Sequence, residues 1–250
     1  MRVDGKTVFV TGSSRGIGRD IAQIFAESGA TVILHGREHS NELDTTASDL
    51  KAKSLSVHTV IGDLASADAH RQIFQQIDDL NMDVDILILN ASVQVRKRWT
   101  KLSVEDYSWQ MDVNLRSTLL LLQQFVPTMQ ERGWGRVVTI GSVQQFKPHP
   151  KMAIYAATKD AQMSIVRNIA TQVAKDGVTV NNLAVGVVET DRNREMLQDP
   201  AYRSRVIRQI PAGRLGRGDE CAYTALFLCT DFAKYITGSN IPVDGGLHLS

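Results

Sequence analysis

The chain has 250 residues, enough for one large α/β domain or two small ones with a buried core. Its formal net charge of +1 gives no reason to expect a nucleic acid or an anionic membrane as a partner. Hydrophobic residues make up 43% of the sequence, but no apolar run approaches the ~20 residues that span a bilayer. The six histidines are scattered, and no metal-ligand spacing is present.

The N-terminal residues lead directly into an apolar run and lack the pattern of a signal peptide. The two cysteines, Cys221 and Cys229, fall in one predicted helix, where a rise of ~1.5 Å per residue separates them by ~12 Å. That distance is too long for a disulfide, and free thiols fit a reducing compartment. We therefore expect a cytoplasmic protein that binds no metal, no nucleic acid and no membrane.

The N-terminal region predicts a strand, a glycine-rich turn and a helix in immediate succession. The apolar run Thr7–Thr11 leads into T-G-S-S-R-G-I-G, and an amphipathic helical pattern then extends from Ile17 to about Ser28. The first amides of a helix lack internal partners, so this junction is suited to bind a phosphate. Its spacing differs from both G-x-G-x-x-G and the P-loop, and a purely structural turn is the alternative. We expect a pyrophosphate to be held by Gly12, Ser14, Arg15, Gly16, Ile17 and Gly18.

Strand-like apolar runs alternate with helical patterns along the whole chain. Seven strands are predicted, at Thr7–Thr11, Thr31–His35, Ser56–Ile61, Val84–Asn90, Arg136–Ser142, Val178–Ala184 and Ile241–Val243. After the first helix, further helices are predicted at Asn41–Lys53, Ser66–Leu80, Val104–Arg132, Ala153–Ala174 and Asp219–Thr230. Apolar strands that alternate with helices indicate a parallel sheet covered on both faces. The expected fold class is α/β, a single doubly wound domain over residues 1–250 with a seven-stranded parallel sheet and helices on both faces.

Ligands of such sheets bind at the carboxyl ends of the strands, so the residues just past each strand are candidate site residues. After the second strand, Gly36 precedes Arg37, where a carboxylate would select the ribose of NAD and an arginine suits the 2′-phosphate of NADP. Arg15 can approach the same phosphate, so we expect NADP(H) in preference to NAD(H); solvated surface arginines are the alternative. After the third strand, Asp63 is expected to accept a hydrogen bond from the adenine amine or to cap the next helix.

The later strand ends supply further polar side chains. Asn90 and Ala91 follow the fourth strand and are expected at the cofactor. Ser142 stands at the end of the fifth strand. After the sixth strand, residues 187–210 contain a turn and a polar stretch, which we expect to form the substrate-side loop region.

Tyr155 and Lys159 are four residues apart in a predicted helix and therefore share one face. An ammonium beside a phenol favours the phenolate, which suits proton transfer to or from a carbonyl oxygen near neutral pH. Such a pair also occurs by chance in many helices, so its meaning depends on the residues elsewhere that fit it.

Together these features resemble the short-chain dehydrogenase/reductases, and among them the 3-oxoacyl-acyl-carrier-protein reductases, over the whole chain. The glycine turn matches the cofactor loop of that family, and Tyr155 with Lys159 matches its Y-x-x-x-K motif. Ser142 matches the catalytic serine, and Asn114 in V-N-L matches the asparagine of the catalytic tetrad. The resemblance implies a Rossmann-type domain that transfers a hydride between NADP(H) and a carbonyl compound or secondary alcohol.

The resemblance also implies a role for each of these residues. Tyr155 would act as general acid or base on the substrate oxygen, which Ser142 would polarise. Lys159 would support the phenolate and hold the nicotinamide ribose. Asn114 would anchor a water that links Lys159 to solvent.

Beyond the tetrad, the resemblance places Thr190 at the pyrophosphate and the backbone of Val188 at the nicotinamide carboxamide. Two positions depart from the pattern: Ser92 stands where the family has glycine, and Val185 precedes Gly186 where it has proline. We expect these departures to weaken or shift the packing of the cofactor slightly without preventing it.

The substrate is left open by the sequence. The segments Arg96–Arg98 and Val143–His149 are polar and partly basic, and are either solvated faces or a site for a polar or anionic ketone, such as a sugar or keto acid. The reductases that the chain resembles dock their acidic carrier near the end of the Tyr–Lys helix, where Asp176 argues against a carrier. A cofactor-sensing regulator without turnover and a lyase or epimerase are the rival classes.

Three segments carry more apolar residues than one buried helix face needs, namely Leu119–Leu122, Met163–Ile169 and Phe227–Val243. A helix that is apolar on more than one stripe is usually buried on more than one side. Two separate apolar surfaces would produce two dyads, so we expect a homotetramer. The alternative is that the sheet alone absorbs these side chains.

Overall fold

Seven parallel strands form one sheet at the centre of the computed structural model, which describes all of residues 1–250. The strands are β1 (Thr7–Val10), β2 (Thr31–Gly36), β3 (Val57–Ile61), β4 (Ile86–Leu89), β5 (Gly135–Ile140), β6 (Val178–Val185) and β7 (Asn240–Val243). The α-helices are α1 (Gly16–Glu27), α2 (Asn41–Ala52), α3 (Ala69–Asp78), α4 (Val104–Met111), α5 (Ser117–Glu131), α6 (Ala153–Val173), α7 (Asp191–Leu197), α8 (Pro200–Arg208) and α9 (Gly218–Cys229). None of the helices combines the length and the apolar character that a membrane span needs.

The strand order is β3-β2-β1-β4-β5-β6-β7, which confirms the predicted doubly wound α/β fold. Strand β1 pairs with β2 on one side and with β4 on the other, so that Val8 lies opposite both Val32 and Ile86. The chain reverses its direction of strand addition at this point, and such a switch point opens a crevice at the carboxyl ends of the two strands.

The two faces of the sheet support two separate cores because successive strand residues point to opposite faces. On one face, Val8 and Val10 pack with residues of α1, α2 and α9. On the other face, Phe9 packs with residues of α3, α5 and α6. Every residue of β5 and β6 is buried, as expected for central strands that are covered on both faces.

The predicted helix Val104–Arg132 is interrupted by a π-helical turn at Asp112–Arg116, between α4 and α5. A π turn disturbs the regular pattern of backbone bonds and frequently occurs at functional sites. Here the hydroxyl groups of Ser117 and Thr118 donate to the carbonyl oxygens four residues earlier, at 2.6 and 2.8 Å. Asn114 lies at the centre of the turn and forms hydrogen bonds with Val93 and with Thr158 of α6.

Two further boundaries differ from the prediction. Helix α3 begins at Ala69 instead of Ser66, because a turn stabilised by Asp63 occupies the intervening residues. The polar stretch 187–210 contains the helices α7 and α8, which the sequence analysis treated as a loop.

Candidate active site

A cleft of about 980 Å³ lies at the carboxyl ends of strands β1 to β6. Residues that follow each of these six strands line it, as expected for a doubly wound sheet. Most of the predicted site residues are in this lining, namely Gly12, Ser14, Arg15, Gly16, Ile17, Gly18, Arg37, Asp63, Asn90, Ala91, Ser142, Tyr155, Val188 and Thr190. The other two, Asn114 and Lys159, are buried beneath the surface of the cleft.

Five consecutive backbone N–H groups, from Ser14 to Gly18, donate no hydrogen bond within the protein. Backbone N–H groups in folded proteins almost always have a partner, so this row of donors is suited to an external acceptor. The groups lie at the start of α1, where the helix dipole also favours negative charge. The junction therefore fits a pyrophosphate, which agrees with the expectation from the sequence.

Glycine is required at three positions of this turn. Gly12 and Gly16 have φ angles of +63° and +58°, in the left-handed region that disfavours other residues. At Gly18, a Cβ atom would overlap the carbonyl oxygen of Gly12 and the side-chain amide of Asn90. The helix start, the turn and the loop after β4 can therefore touch only because residue 18 lacks a side chain.

Thr11 and Asn90 connect the glycine turn to the loop after β4. The Nδ2 atom of Asn90 donates to the carbonyl oxygens of Thr11 and Gly12, both at 2.9 Å. The Oγ1 atom of Thr11 accepts from the backbone N–H groups of Asn90 and Ala91, both at 3.0 Å. The Asn90 side chain thus shapes the cofactor loop from within the protein.

His35, which the sequence analysis did not select, is buried at the end of β2 and holds the same turn from the other side. Its Nδ1 atom accepts from the backbone N–H of Gly12 at 3.0 Å, and its Nε2 atom lies 2.9 Å from the carbonyl oxygen of Gly62. Its backbone N–H donates to the Oγ of Ser13 at 2.9 Å. Burial lowers the pKa of His35 to about 4, so the ring is neutral at physiological pH. A polar side chain at the end of an apolar strand beside the glycine turn was the signal that could have identified it.

Arg15 and Arg37 line the cleft at the end of β2, where the sequence places a 2′-phosphate. Arg37 is exposed and forms an ion pair with its neighbour Glu38. Exposed ion pairs of this kind contribute little to stability, so Glu38 does not prevent Arg37 from turning towards a phosphate in the cleft.

Asp63 faces the same end of the cleft. Its Oδ1 atom accepts from the backbone N–H of Ala65 at 3.0 Å, which stabilises the turn after β3. Because α3 begins only at Ala69, the alternative in which Asp63 caps the following helix is wrong.

Ser142 and Gln145 form a tight turn immediately after β5. The Oγ of Ser142 accepts from the backbone N–H of Gln144 at 3.2 Å, and Oε1 of Gln145 accepts from the backbone N–H of Ser142 at 3.2 Å. The Nε2 atom of Gln145 donates to the carbonyl oxygen of Lys159 at 3.0 Å. Gln145, which the sequence analysis did not identify, therefore links the serine loop to α6.

Tyr155 and Lys159 share the buried face of α6, as their spacing predicts. The Nζ atom of Lys159 lies 5.7 Å from the centroid of the Tyr155 ring and donates to the carbonyl oxygen of Ile140 at 2.8 Å. Burial, together with the positive charge of Arg192, lowers the pKa of Lys159 to about 7. A lysine with this pKa changes its protonation state near neutral pH, which is typical of residues that take part in proton transfer.

Asn114 is fully buried and connects the loop after β4 to α6. Its side chain accepts from the backbone N–H of Val93 at 2.8 Å, and donates to the carbonyl oxygen of Val93 at 2.9 Å and to Oγ1 of Thr158 at 3.1 Å. Its carbonyl oxygen accepts from Nε2 of Gln162 at 2.7 Å. Asn114 therefore holds the helix that carries Tyr155 and Lys159 against the loop that borders the cleft.

Ser92, the residue expected to disturb cofactor packing, contacts helix α7. Arg192 donates to the Oγ and to the carbonyl oxygen of Ser92, at 3.1 and 2.7 Å. These bonds join the loop after β4 to α7 across the cleft. The side chain that departs from the family pattern thus has a partner of its own.

Arg96 lies at the part of the cleft that borders α7 and α8. Its guanidinium group contacts Met196, lies 3.5 Å from Nε2 of His149 and donates to the Oη of Tyr202 at 3.4 Å. Burial and the positive charge of Arg96 lower the pKa of His149, which keeps the imidazole neutral. Arg96 forms no ion pair with a carboxylate, so its positive charge is available to an anion in the cleft.

A model of a protein family described as "Enoyl-(Acyl carrier protein) reductase" matches residues 12–248. The chain is 34% identical to a 3-oxoacyl-acyl-carrier-protein reductase of Aquifex aeolicus (strain VF5), over 99% of both chains. A 3-oxoacyl (acyl-carrier-protein) reductase from Agrobacterium tumefaciens C58, solved with NADP bound, is 39% identical, with a TM-score of 0.93 over 98% of this chain and 95% of that one. A gluconate 5-dehydrogenase from Burkholderia cenocepacia J2315, solved with NADP and tartrate, is 31% identical, with a TM-score of 0.94 over 100% and 97%.

Proposed function

The chain belongs to the short-chain dehydrogenase/reductase family of oxidoreductases, and we propose that it is an NADP(H)-dependent reductase of carbonyl compounds, with Tyr155 as general acid. The observation that carries the proposal is the presence, in one cleft, of the unpaired amides at Ser14–Gly18 and the Tyr155–Lys159 pair. The amides are suited to bind a pyrophosphate, and the Tyr155–Lys159 pair is suited to transfer a proton to a carbonyl oxygen. The bound nicotinamide would supply the hydride for that carbonyl.

The residues of the cleft divide the remaining work among them. Tyr155 gives its proton to the substrate oxygen, while the Ser142 hydroxyl donates a hydrogen bond to the same oxygen and stabilises its developing charge. The Nζ atom of Lys159 lies 5.7 Å from the centroid of the Tyr155 ring. Lys159 gains and loses a proton near neutral pH, because its pKa is lowered to about 7. Asn114 fixes the position of α6, and with it the position of both groups.

Two groups at the start of α7 complete the cofactor site. The Cβ and Cγ2 atoms of Thr190 lie 3.6 Å from where a Cβ atom on Gly16 would be, beside the row of unpaired amides, and this proximity supports a role for Thr190 at the pyrophosphate. The backbone N–H of Val188 donates no hydrogen bond within the protein and is available for the nicotinamide carboxamide. Residues 187–210, with α7 and α8, form the substrate side of the same single domain.

We assign a preference for NADP(H) over NAD(H) to Arg15 and Arg37. Both arginines border the cleft beyond β2, where a carboxylate would be needed to select the ribose of NAD. The structures of relatives that contain NADP, from Agrobacterium tumefaciens and Burkholderia cenocepacia, support this assignment.

The substrate class that fits the cleft best is a carbonyl compound that carries an anionic group, such as a sugar acid or a keto acid. Arg96 supports this proposal, since its charge faces the cleft without a carboxylate partner. The gluconate 5-dehydrogenase that was solved with tartrate, a dicarboxylate, is consistent with such a substrate.

The second candidate is a 3-oxoacyl-acyl-carrier-protein reductase, which the names of two of these relatives favour. At the end of α6, however, the acidic Asp176 accepts a hydrogen bond from Gln130 at 2.6 Å, and an acid there does not favour an acidic carrier. The exposed apolar residues of the surface and the two free thiols support a homotetramer in the cytoplasm, as proposed from the sequence.

The test is an assay of NADPH oxidation with sugar acids, keto acids, neutral ketones and 3-oxoacyl thioesters. We expect the highest kcat/KM for an anionic ketone, and we expect Arg96→Gln to raise the KM for that ketone by about tenfold, as for the loss of a charge-assisted bond. Arg98→Gln, in the same exposed loop, serves as the control. Isomerised product without net NADPH oxidation would favour a lyase or epimerase, and NADPH binding without turnover of any carbonyl compound would favour a sensor.

A further inference from the structure

We propose that His35 is a positioning residue of the cofactor site, whose neutral imidazole sets the spacing between the glycine turn and the loop after β3. This role rests on the proposed binding of NADP(H), part of whose affinity we assign to the two hydrogen bonds that His35 forms with the protein backbone. No other side chain forms hydrogen bonds with the backbone of both the glycine turn and the loop after β3.

Both hydrogen bonds of the imidazole end on backbone atoms of residues that line the cleft. Gly12, whose N–H donates to Nδ1 at 3.0 Å, begins the glycine turn, and Gly62, whose carbonyl oxygen is 2.9 Å from Nε2, precedes Asp63. Two hydrogen bonds between Ser13 and His35 also hold the turn. The backbone N–H of Ser13 donates to the carbonyl oxygen of His35 at 3.0 Å, and the backbone N–H of His35 donates to the Oγ of Ser13 at 2.9 Å. His35 thus fixes the residues directly before the unpaired amides of the pyrophosphate site.

Only one form of the ring satisfies both bonds. Nδ1 must lack a proton to accept from an N–H group, and Nε2 must carry one to donate to a carbonyl oxygen. The neutral Nε2–H tautomer meets both conditions, whereas an imidazolium has two donors and loses the bond to Gly12. Burial against Phe9, whose ring lies edge-on at 6.1 Å, favours the neutral form, and Asp63 is the charged group that opposes it.

A preformed cofactor loop increases affinity because its backbone does not have to be ordered when the ligand binds. Loss of His35 should therefore act on NADPH binding and leave the chemical step almost unchanged. A residue that only filled the core would lower stability without this selective effect on the cofactor.

Three variants test the contribution of each of the two hydrogen bonds of His35 to NADPH affinity, which is measured by calorimetric titration. His35→Phe keeps the ring and removes both bonds; His35→Asn places an acceptor near the position of Nδ1; His35→Gln places an amide near the position of Nε2. We expect His35→Phe to weaken NADPH binding by about tenfold or more, because the glycine turn would then have to be ordered when the cofactor binds. The other two variants should lose less, and kcat at saturating NADPH should stay within about threefold for all three.

Asn181→Leu is the matched control. Asn181 is also a buried polar residue on a central strand with two hydrogen bonds, to Ile236 and Ser239, but it does not line the cleft. We expect this variant to lower the melting temperature while NADPH affinity is retained.

The outcomes distinguish this inference from the proposed function. If the wild-type protein fails to bind NADPH, the proposed function itself is wrong. If the wild type binds but His35→Phe binds equally well, the positioning role is overturned. The same holds if Asn181→Leu loses as much NADPH affinity as His35→Phe for a similar fall in melting temperature. Should His35→Phe fail to fold, His35→Asn and His35→Gln decide the question: wild-type affinity in both would contradict the inference.

Discussion

At the scale of single residues, burial lowers the pKa of Lys159 into the range that the proposed proton transfer requires. Its side chain is 1% exposed, and its one hydrogen bond is to the carbonyl oxygen of Ile140, which does not carry a full negative charge. Desolvation without a carboxylate partner disfavours the ammonium and lowers the pKa of Lys159 to about 7. Arg192, on the other side of the cleft, adds to this effect because like charges repel.

Removal of the Arg192 charge should therefore raise the pKa of Lys159. In Arg192→Gln the lysine would stay protonated to higher pH, so the limb of the pH–kcat profile near pH 7 should move to higher pH. The profile can be measured with saturating NADPH and substrate from about pH 5 to about pH 9, which covers both sides of the lysine pKa. Arg194→Gln, on the same helix, is the control, and a limb that stays in place or moves to lower pH in Arg192→Gln would contradict the account.

Arg37 offers a second prediction at this scale. Arg37→Ala should reduce the preference for NADPH over NADH by about one to two orders of magnitude, since a charge-assisted bond to a phosphate contributes roughly 1.5–3 kcal/mol. Glu38→Gln should change this preference by less than about threefold, because the exposed ion pair between Glu38 and Arg37 is weak. The ratio of kcat/KM for the two cofactors measures both changes, and equal efficiency of the wild type with NADH and NADPH would refute this role of Arg37.

Residues with a recognisable spacing or motif were accessible from the sequence, whereas His35 and Gln145, which act over long range and belong to no such motif, were not. The four-residue interval between Tyr155 and Lys159 determines that they share a helix face. The partners of His35, in contrast, lie 23 and 27 positions away along the chain, and only the sheet brings them together. The same reason applies to Gln145, whose partner Lys159 is 14 positions away.

At the scale of secondary-structure elements, the start of α1 depends on a close approach of three backbone segments. Gly18→Ala should push the helix away from Gly12 and Asn90, since a Cβ atom there would overlap both. We expect at least about a tenfold loss of NADPH affinity together with a lower melting temperature, a typical result of overpacking. Gln23→Ala, on the same helix and outside the cleft, is the comparison; wild-type affinity in Gly18→Ala would show that the turn tolerates the displacement.

Strands were easier to predict than helix boundaries in this chain. All seven predicted strands are present, because each is a short, mainly apolar run between turn residues. The π-helical turn at Asp112–Arg116 has no comparable signature, since its geometry follows from contacts of Asn114 with the loop after β4 and with α6. Tertiary contacts therefore determine the element that carries one of the proposed catalytic residues.

At the scale of the whole molecule, part of the apolar surface that suggested subunit interfaces is buried within the chain, and part is exposed. Leu121 and Leu122 are 1% exposed, so the sheet absorbs part of the apolar block that suggested a partner subunit. Other large apolar side chains are exposed in two regions. The first comprises Trp99 and Val104, at 73% and 74% exposure, and the second Phe232 and Tyr235, at 83% and 100%.

Two such regions are expected to be covered by two different interfaces in a homotetramer. Light scattering at micromolar concentration should give about four times the 27.6 kDa of one chain. Replacement of Phe232 and Tyr235 by serine should convert the tetramer to a dimer. A wild-type mass near that of one chain would refute the assembly, and a mass near twice that value would leave only one of the two interfaces.

The most direct test of the account is the comparison of Tyr155→Phe with the wild type in NADPH binding and in carbonyl reduction. The substitution removes only the phenolic oxygen, so we expect the NADPH dissociation constant to stay within about threefold while kcat falls by at least about 10²-fold, as for the loss of a general acid. If the variant retains wild-type turnover with its preferred ketone, Tyr155 is not the acid, and the central claim is contradicted.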